Sequence, residues 1–157
     1  MLSERGACCD RLRRGILLGA AGLLLVPAAR GQGRDLPAIV QPKGPTRDAF
    51  MRRAFDIRRI SVERGDQAYG AVIVKDGRIV GEGISAVITA NDPTAHAEMQ
   101  GIRDAARRLG TRDLSGCEMY GTSRACPMCE AGAYWAGISR MFYGEGIADA
   151  GAPRLSR

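Results

Sequence analysis

The chain has 157 residues, of which 45% are hydrophobic and 25% charged, with a formal net charge of +6. That length has room for one domain of ordinary globular composition. Arg5, Arg11, Arg13, Arg14 and Arg30, against Glu4 and Asp10, put half of the charge in the first 31 residues, so the rest is too mildly basic for a nucleic-acid surface. Cys8 and Cys9 lie in that leading segment, Cys126 and Cys129 form a C-x-x-C, and Cys117 is left over, so no disulfide framework is implied.

Arg11 to Arg14 precede an uncharged run over residues 16–26, and small residues follow at Ala28, Ala29 and Gly31. This basic, apolar, small-residue order is that of a secretory signal. The adjacent Arg13-Arg14 resembles a twin-arginine export signal. As a helix, residues 15–29 would reach about 22 Å, short of the roughly 30 Å hydrocarbon core, which disfavours a retained membrane anchor. The expectation is therefore an export signal over residues 1–31, no stable membrane span after processing, and a periplasmic protein. Residues 32–45, with Pro37, Pro42, Gly44 and Pro45, read as an irregular lead-in.

Thr46 caps a helix running to about residue 64, with Phe50, Met51, Ala54 and Ile57 on one face and Gly65 as its stop. Residues 69–74 are strand-like through the β-branched Val72-Ile73-Val74. Asp76-Gly77 is a tight-turn signal, and residues 79–87 return as the partner strand. Asn91-Asp92-Pro93-Thr94 opens a second helix, along which Ala95, Met99, Ile102, Ala106 and Leu109 keep helical spacing until Gly110. Residues 118–122 form a third strand. Pro127 suits the first turn of a third helix ending near Gly137, and residues 141–143 form a fourth strand. The order α-β-β-α-β-α-β gives an α/β sandwich with helices covering a sheet. Residues 147–157, with Asp149, Gly151 and Pro153, read as a short unstructured tail.

Two motifs carry the chemistry. His96 and Glu98 are two apart and do not share a helix face, so they converge only at a helix end, where Asp92-Pro93-Thr94 puts them. Cys126 and Cys129 are three apart and share a face of the third helix's first turn. The simplest geometry brings both helix N-termini together with zinc between them, where the positive helix ends favour thiolates. A structural zinc site is normally closed by four protein ligands, whereas a catalytic one keeps a position open for water. Here there are three donors, His96, Cys126 and Cys129, and one carboxylate to spare. The expected chemistry is attack by zinc-bound hydroxide on an amidine-like ring carbon, with Glu98 carrying protons as general base and then acid. Read alone, a lone histidine is a structural residue and a C-x-x-C is a redox pair; their joint spacing favours the metal.

The segments Asn91-Asp-Pro-Thr-Ala-His96-Ala-Glu98 and Cys126-Pro-Met-Cys129-Glu-Ala-Gly-Ala-Tyr134-Trp135 resemble the two zinc motifs of the cytidine-deaminase superfamily, in its nucleoside and guanine deaminase branch. The resemblance covers about residues 46–146. It implies a three-layer α/β/α sandwich around a mixed sheet, a Zn2+ cofactor held by His96, Cys126 and Cys129, and Glu98 as proton shuttle. It also implies a small nucleobase or nucleoside substrate, guanine favoured, and a homodimer. The Ala97 backbone N–H matches a substrate-holding position, and Trp135 a pocket aromatic, with a core aromatic as the alternative. Where relatives carry a substrate-contacting asparagine this chain has Ser85, and Asn91 is the nearby candidate for that contact. Arg124-Ala125 stands where relatives have Glu-Pro. Relatives also continue into elements that help close the pocket, and only thirteen residues follow Gly144 here. Deamination of adenosine in tRNA, deamination of cytosine or cytidine, and a zinc-stabilised fold impaired in catalysis stay open as alternatives.

Overall fold

The computed structural model describes residues 38–155; the expected export signal, the first part of the lead-in and the last two residues lie outside them. Three helices and five strands follow in the order α1 (Arg47–Glu63), β1 (Gly70–Lys75), β2 (Arg78–Ile84), α2 (Ala97–Leu109), β3 (Glu118–Gly121), α3 (Pro127–Ala136), β4 (Arg140–Tyr143) and β5 (Ala148–Gly151). No helix among the described residues is long and apolar enough to cross a membrane.

Local chemistry sets most of these boundaries. Thr46 caps α1 by accepting from the Ala49 N–H at 3.2 Å. The β1–β2 hairpin turns at Asp76 and Gly77, whose φ values of 49° and 72° suit the aspartate-glycine pair of a tight turn. Asn91, with φ 49°, takes a left-handed turn conformation on the surface, which asparagine tolerates. Gly110 and Gly137 end α2 and α3 in the left-handed region. The lead-in is tied down as well. The Gln41 carboxamide donates to the Ile79 carbonyl at 2.7 Å and accepts from the Ile79 N–H at 2.9 Å, pairing with the outer side of β2.

The sheet order is β2-β1-β3-β4-β5. β3 and β4 are parallel, joined through α3, and the other neighbours are antiparallel. The central strands are buried on both faces and separate two cores. On one face Val72, Val74, Tyr120 and Phe142 pack with Phe50, Met51, Ala54 and Ile57 of α1. On the other, Ile73, Met119 and Met141 pack with Ile102 and Ala105 of α2 and Ala133 and Ala136 of α3. This is the expected three-layer α/β/α sandwich around a mixed sheet.

Two expectations fail. The tail, read as unstructured, contains β5, which pairs antiparallel with β4 through Met141–Gly151, Phe142–Asp149 and Tyr143–Ala148. Arg140 clamps it by an ion pair to Asp149 at 2.6 Å. Ala148–Gly151 has no β-branched or aromatic residue, so its extended state comes from pairing with the otherwise open edge of β4. The second strand also ends at Ile84 instead of continuing to 87, because the backbone from Ser85 onward turns.

Candidate active site

Close packing puts the two helix ends where the chemistry needs them. Gly83 of β2 faces the start of α2, and a Cβ there would lie 1.8 Å from the Ala97 carbonyl oxygen and 2.5 Å from the Gly101 nitrogen. Only a residue without a side chain lets α2 lie this close to the sheet. His96 is the N-cap of α2 and Cys126 the N-cap of α3, and neither side chain makes a capping hydrogen bond. Both are free to face each other instead.

They do so. The ligand atoms of His96, Cys126 and Cys129 lie within 4.8 Å of one another. His96 Nδ1 is 3.7 Å from Cys126 Sγ and 3.6 Å from Cys129 Sγ, and the two sulfurs are 3.6 Å apart. Tetrahedral zinc, with Zn–S of about 2.3 Å and Zn–N of about 2.0–2.1 Å, separates such atoms by about 3.6–3.8 Å. The spacing and the nitrogen-and-sulfur donor set therefore fit zinc. Burial, and then the neighbouring Glu98 carboxylate, push the Cys129 thiol well above its ordinary range. A cation between the donors reverses that preference, because a coordinating thiol is deprotonated.

Glu98 stands beside the cluster. It is buried, with 7% of its surface exposed, and its Oε2 is 3.7 Å from Cys129 Sγ. Burial pushes its carboxyl up, against hydrogen bonds to its own backbone N–H and to the Cys129 thiol. A carboxyl displaced upward in a cleft is suited to carrying protons near neutral pH. Ala97, buried at the first position of α2, has an N–H that the helix leaves without an intrahelical partner.

A cavity of about 220 Å³ opens over these groups, lined by Gln67, Tyr69, His96, Glu98, Ser123, Arg124 and Cys126. Glu98, Ser123 and Arg124 also border a second, smaller cavity, whose wall includes Ala150, Ala152 and Pro153. The short tail thus supplies part of the enclosure that it was expected to lack. The segment after β5 is fastened by the Arg154 N–H, which donates to Glu130 of α3 at 3.2 Å.

Three sequence-based candidates sit elsewhere. Ser85 is buried and donates its hydroxyl to Asp66 at 2.8 Å, beside a cleft between Arg64, Glu82 and Gln100. Serine is too short to reach past that carboxylate. Asn91 is exposed in its turn and lines neither cavity of the site. Trp135 is 76% exposed on α3, edge-on to Tyr134, so in the single chain it is neither a core nor a pocket aromatic. Conversely, Gln67, Tyr69 and Ser123 line the cavity without having been singled out. Their only sequence signal is position, just before β1 and just after β3, on the rim where α2 and α3 begin.

Asp66 organises this rim. Its carboxylate accepts from the N–H groups of Gln67, Val87, Ile88 and Thr89 and from the hydroxyls of Ser85 and Thr89. Burial works against its charged form, but these hydrogen bonds outweigh it and hold the carboxyl well below the usual range.

A family model described as the cytidine and deoxycytidylate deaminase zinc-binding region matches residues 45–145. A guanine deaminase of Bacillus subtilis is 43% identical over 104 residues, covering 66% of this chain and 67% of that protein. A tRNA-specific adenosine deaminase of Aquifex aeolicus is 37% identical over 97 residues, covering 62% of this chain and 64% of that protein. The chain thus spans about two thirds of the length of these relatives. The solved structure of the Bacillus subtilis guanine deaminase matches with a TM-score of 0.61 at 43% identity, covering 63% of this chain and 64% of that one.

Proposed function

Because the chain belongs to the cytidine and deoxycytidylate deaminase zinc-binding family, we propose that it is a zinc-dependent hydrolytic deaminase of a nucleobase or nucleoside, with guanine favoured. One observation carries the reading: a buried carboxylate, Glu98, stands 3.7 Å from a sulfur of the three-donor cluster without being one of its donors. A purely structural zinc site has no use for it.

His96, Cys126 and Cys129 would hold the zinc ion, which would supply electrophilic activation and make water more acidic near neutral pH. The chain's own part is positioning and proton transfer. The cavity admits the ring with its amino-bearing carbon toward the cluster. Glu98 accepts a proton from the attacking water and delivers it to the ring nitrogen, then takes the proton of the added hydroxyl and passes it to the leaving amine as the C–N bond breaks. One water is consumed, one ammonia leaves, and a ring carbonyl replaces the amine. Its lack of an intrahelical partner supports the Ala97 N–H as a substrate contact, and burial of Glu98 keeps its protons from exchanging freely with bulk water.

The 43% identity to a guanine deaminase supports guanine. The tRNA adenosine deaminase relatives support a second reading, deamination of adenosine in RNA. The proposal extends to a periplasmic protein, supported by the Arg13-Arg14 segment and the apolar run behind it. It also extends to a homodimer, supported by the exposed Tyr134–Trp135 pair on α3. The test of function is ammonia release by the zinc-loaded protein from guanine, adenine, cytosine and their nucleosides. Release from guanine is expected, and release from none would favour a catalytically impaired zinc-stabilised fold.

A further inference from the structure

We propose that Gln67 is the specificity-determining residue of this cavity and reads the lactam edge of the base, its ring N–H and adjacent carbonyl. The inference rests on the deaminase reading above and narrows its substrate class to oxopurines.

Most groups lining the cavity are committed elsewhere or offer a single polar function. His96 and Cys126 are metal donors, and Glu98 carries protons. Arg124 offers donors only, and Tyr69 and Ser123 offer single hydroxyls. Gln67 alone presents a donor and an acceptor side by side in one plane. Its carboxamide makes no hydrogen bond among the described residues, although the residue is only partly exposed.

Its backbone, in contrast, is fixed. The Gln67 N–H donates to Asp66 Oδ1 at 2.8 Å, and the Gln67 carbonyl accepts from the Tyr69 N–H at 2.8 Å. Asp66 is in turn locked to the loop at Ser85, Val87, Ile88 and Thr89. An unpartnered amide on a rigid root, at the wall of a reaction cavity, is preorganised for a ligand.

The ligand chemistry follows from complementarity. A carboxamide pairs in a bidentate way with a base edge that offers one donor and one acceptor. In guanine the ring N–H lies next to the amino-bearing carbon and the 6-oxygen lies beyond it, so the lactam flanks the reacting centre without being consumed. In adenine the equivalent edge carries the amine that must leave, so the same contact would be lost during the reaction.

The experiment compares the zinc-loaded full chain with Gln67→Leu and Gln67→Glu on guanine and on 2-aminopurine, which keeps the reacting amine but lacks the ring N–H and the 6-oxygen. Both variants should lower kcat/KM on guanine by about 30-fold, mostly through KM, and change 2-aminopurine by less than about twofold. Binding of hypoxanthine, which has the lactam and no amine to lose, should weaken by about tenfold or more while that of unsubstituted purine holds. Equal losses on both substrates, unchanged guanine kinetics, or a wild-type preference for 2-aminopurine would overturn the role. If no base is deaminated but hypoxanthine binding still depends on Gln67, the deaminase reading fails and the recognition role stands.

Discussion

The Ser85 hydroxyl donates to Asp66 Oδ1 at 2.8 Å, and this bond commits the side chain to the carboxylate instead of the cavity that His96 and Glu98 line. Ser85 thereby joins the hydrogen-bonded rim centred on Asp66. The rim leads into the metal site, since the Ala86 N–H bonds the Ala95 carbonyl at 3.0 Å, one residue before His96.

Asp66→Asn should lower the melting temperature by about 5–10 °C, because one acceptor-only carboxylate serves six donors and an amide cannot replace it. The sign of the pH effect follows from the depressed carboxyl. Its stabilising contribution is complete above the unfolded value of about 3.9 and is lost as pH falls through the lower folded value. Thermal melts from pH 7 downward should show the gap between wild type and variant starting to close below about pH 4. A gap that widened on acidification would contradict the assignment.

Gly83→Ala should cost about 3 kcal/mol, because its new methyl meets backbone atoms of α2 that have no rotamer to yield. Displacing α2 also displaces His96 and Glu98. Denaturant melts and metal content should therefore fall together, and a variant that kept wild-type stability would show that α2 can move aside cheaply.

Cys129→Ala removes one of three donors and should reduce bound zinc to below about 0.1 per chain, read by elemental analysis of the purified protein. Chelation of the wild type should lower its melting temperature, because an ion held by the folded donor cluster and not by the unfolded chain stabilises the fold by mass action. Full zinc occupancy in the variant would mean that Glu98 or water completes the site.

Ending the chain at Gly146 removes β5 and the wall formed by Ala150, Ala152 and Pro153. The cavity beside Glu98 then opens to solvent. With zinc retained, kcat/KM should fall by about tenfold or more through loss of positioning and water exclusion. Unchanged turnover would assign the tail to stability alone.

Much of this was legible in the sequence for physical reasons. Val72-Ile73-Val74, Asp76-Gly77, Thr46, Gly110 and Gly137 act locally, so each marks its element without help from the rest of the fold. His96, Glu98, Cys126 and Cys129 were legible because spacing and helix starts constrain where their side chains go. What stayed hidden depends on partners distant in sequence. β5 exists because β4 offers an unpaired edge. Ser85 is claimed by Asp66, nineteen residues earlier. Gln67 reaches the site because β1 lies between β2 and β3, which sets the loop before it beside the helix starts. Trp135 has the composition of a buried residue, and only its place on the outer side of α3 leaves it exposed.

The most direct test of the central claim is Glu98→Ala in the zinc-loaded protein, with metal content and ammonia release measured on the same sample. Retained zinc at one per chain, with turnover reduced by at least about 100-fold, is the predicted result. Loss of zinc would make Glu98 a metal ligand, and undiminished turnover would remove it from the proton path; either would contradict the account.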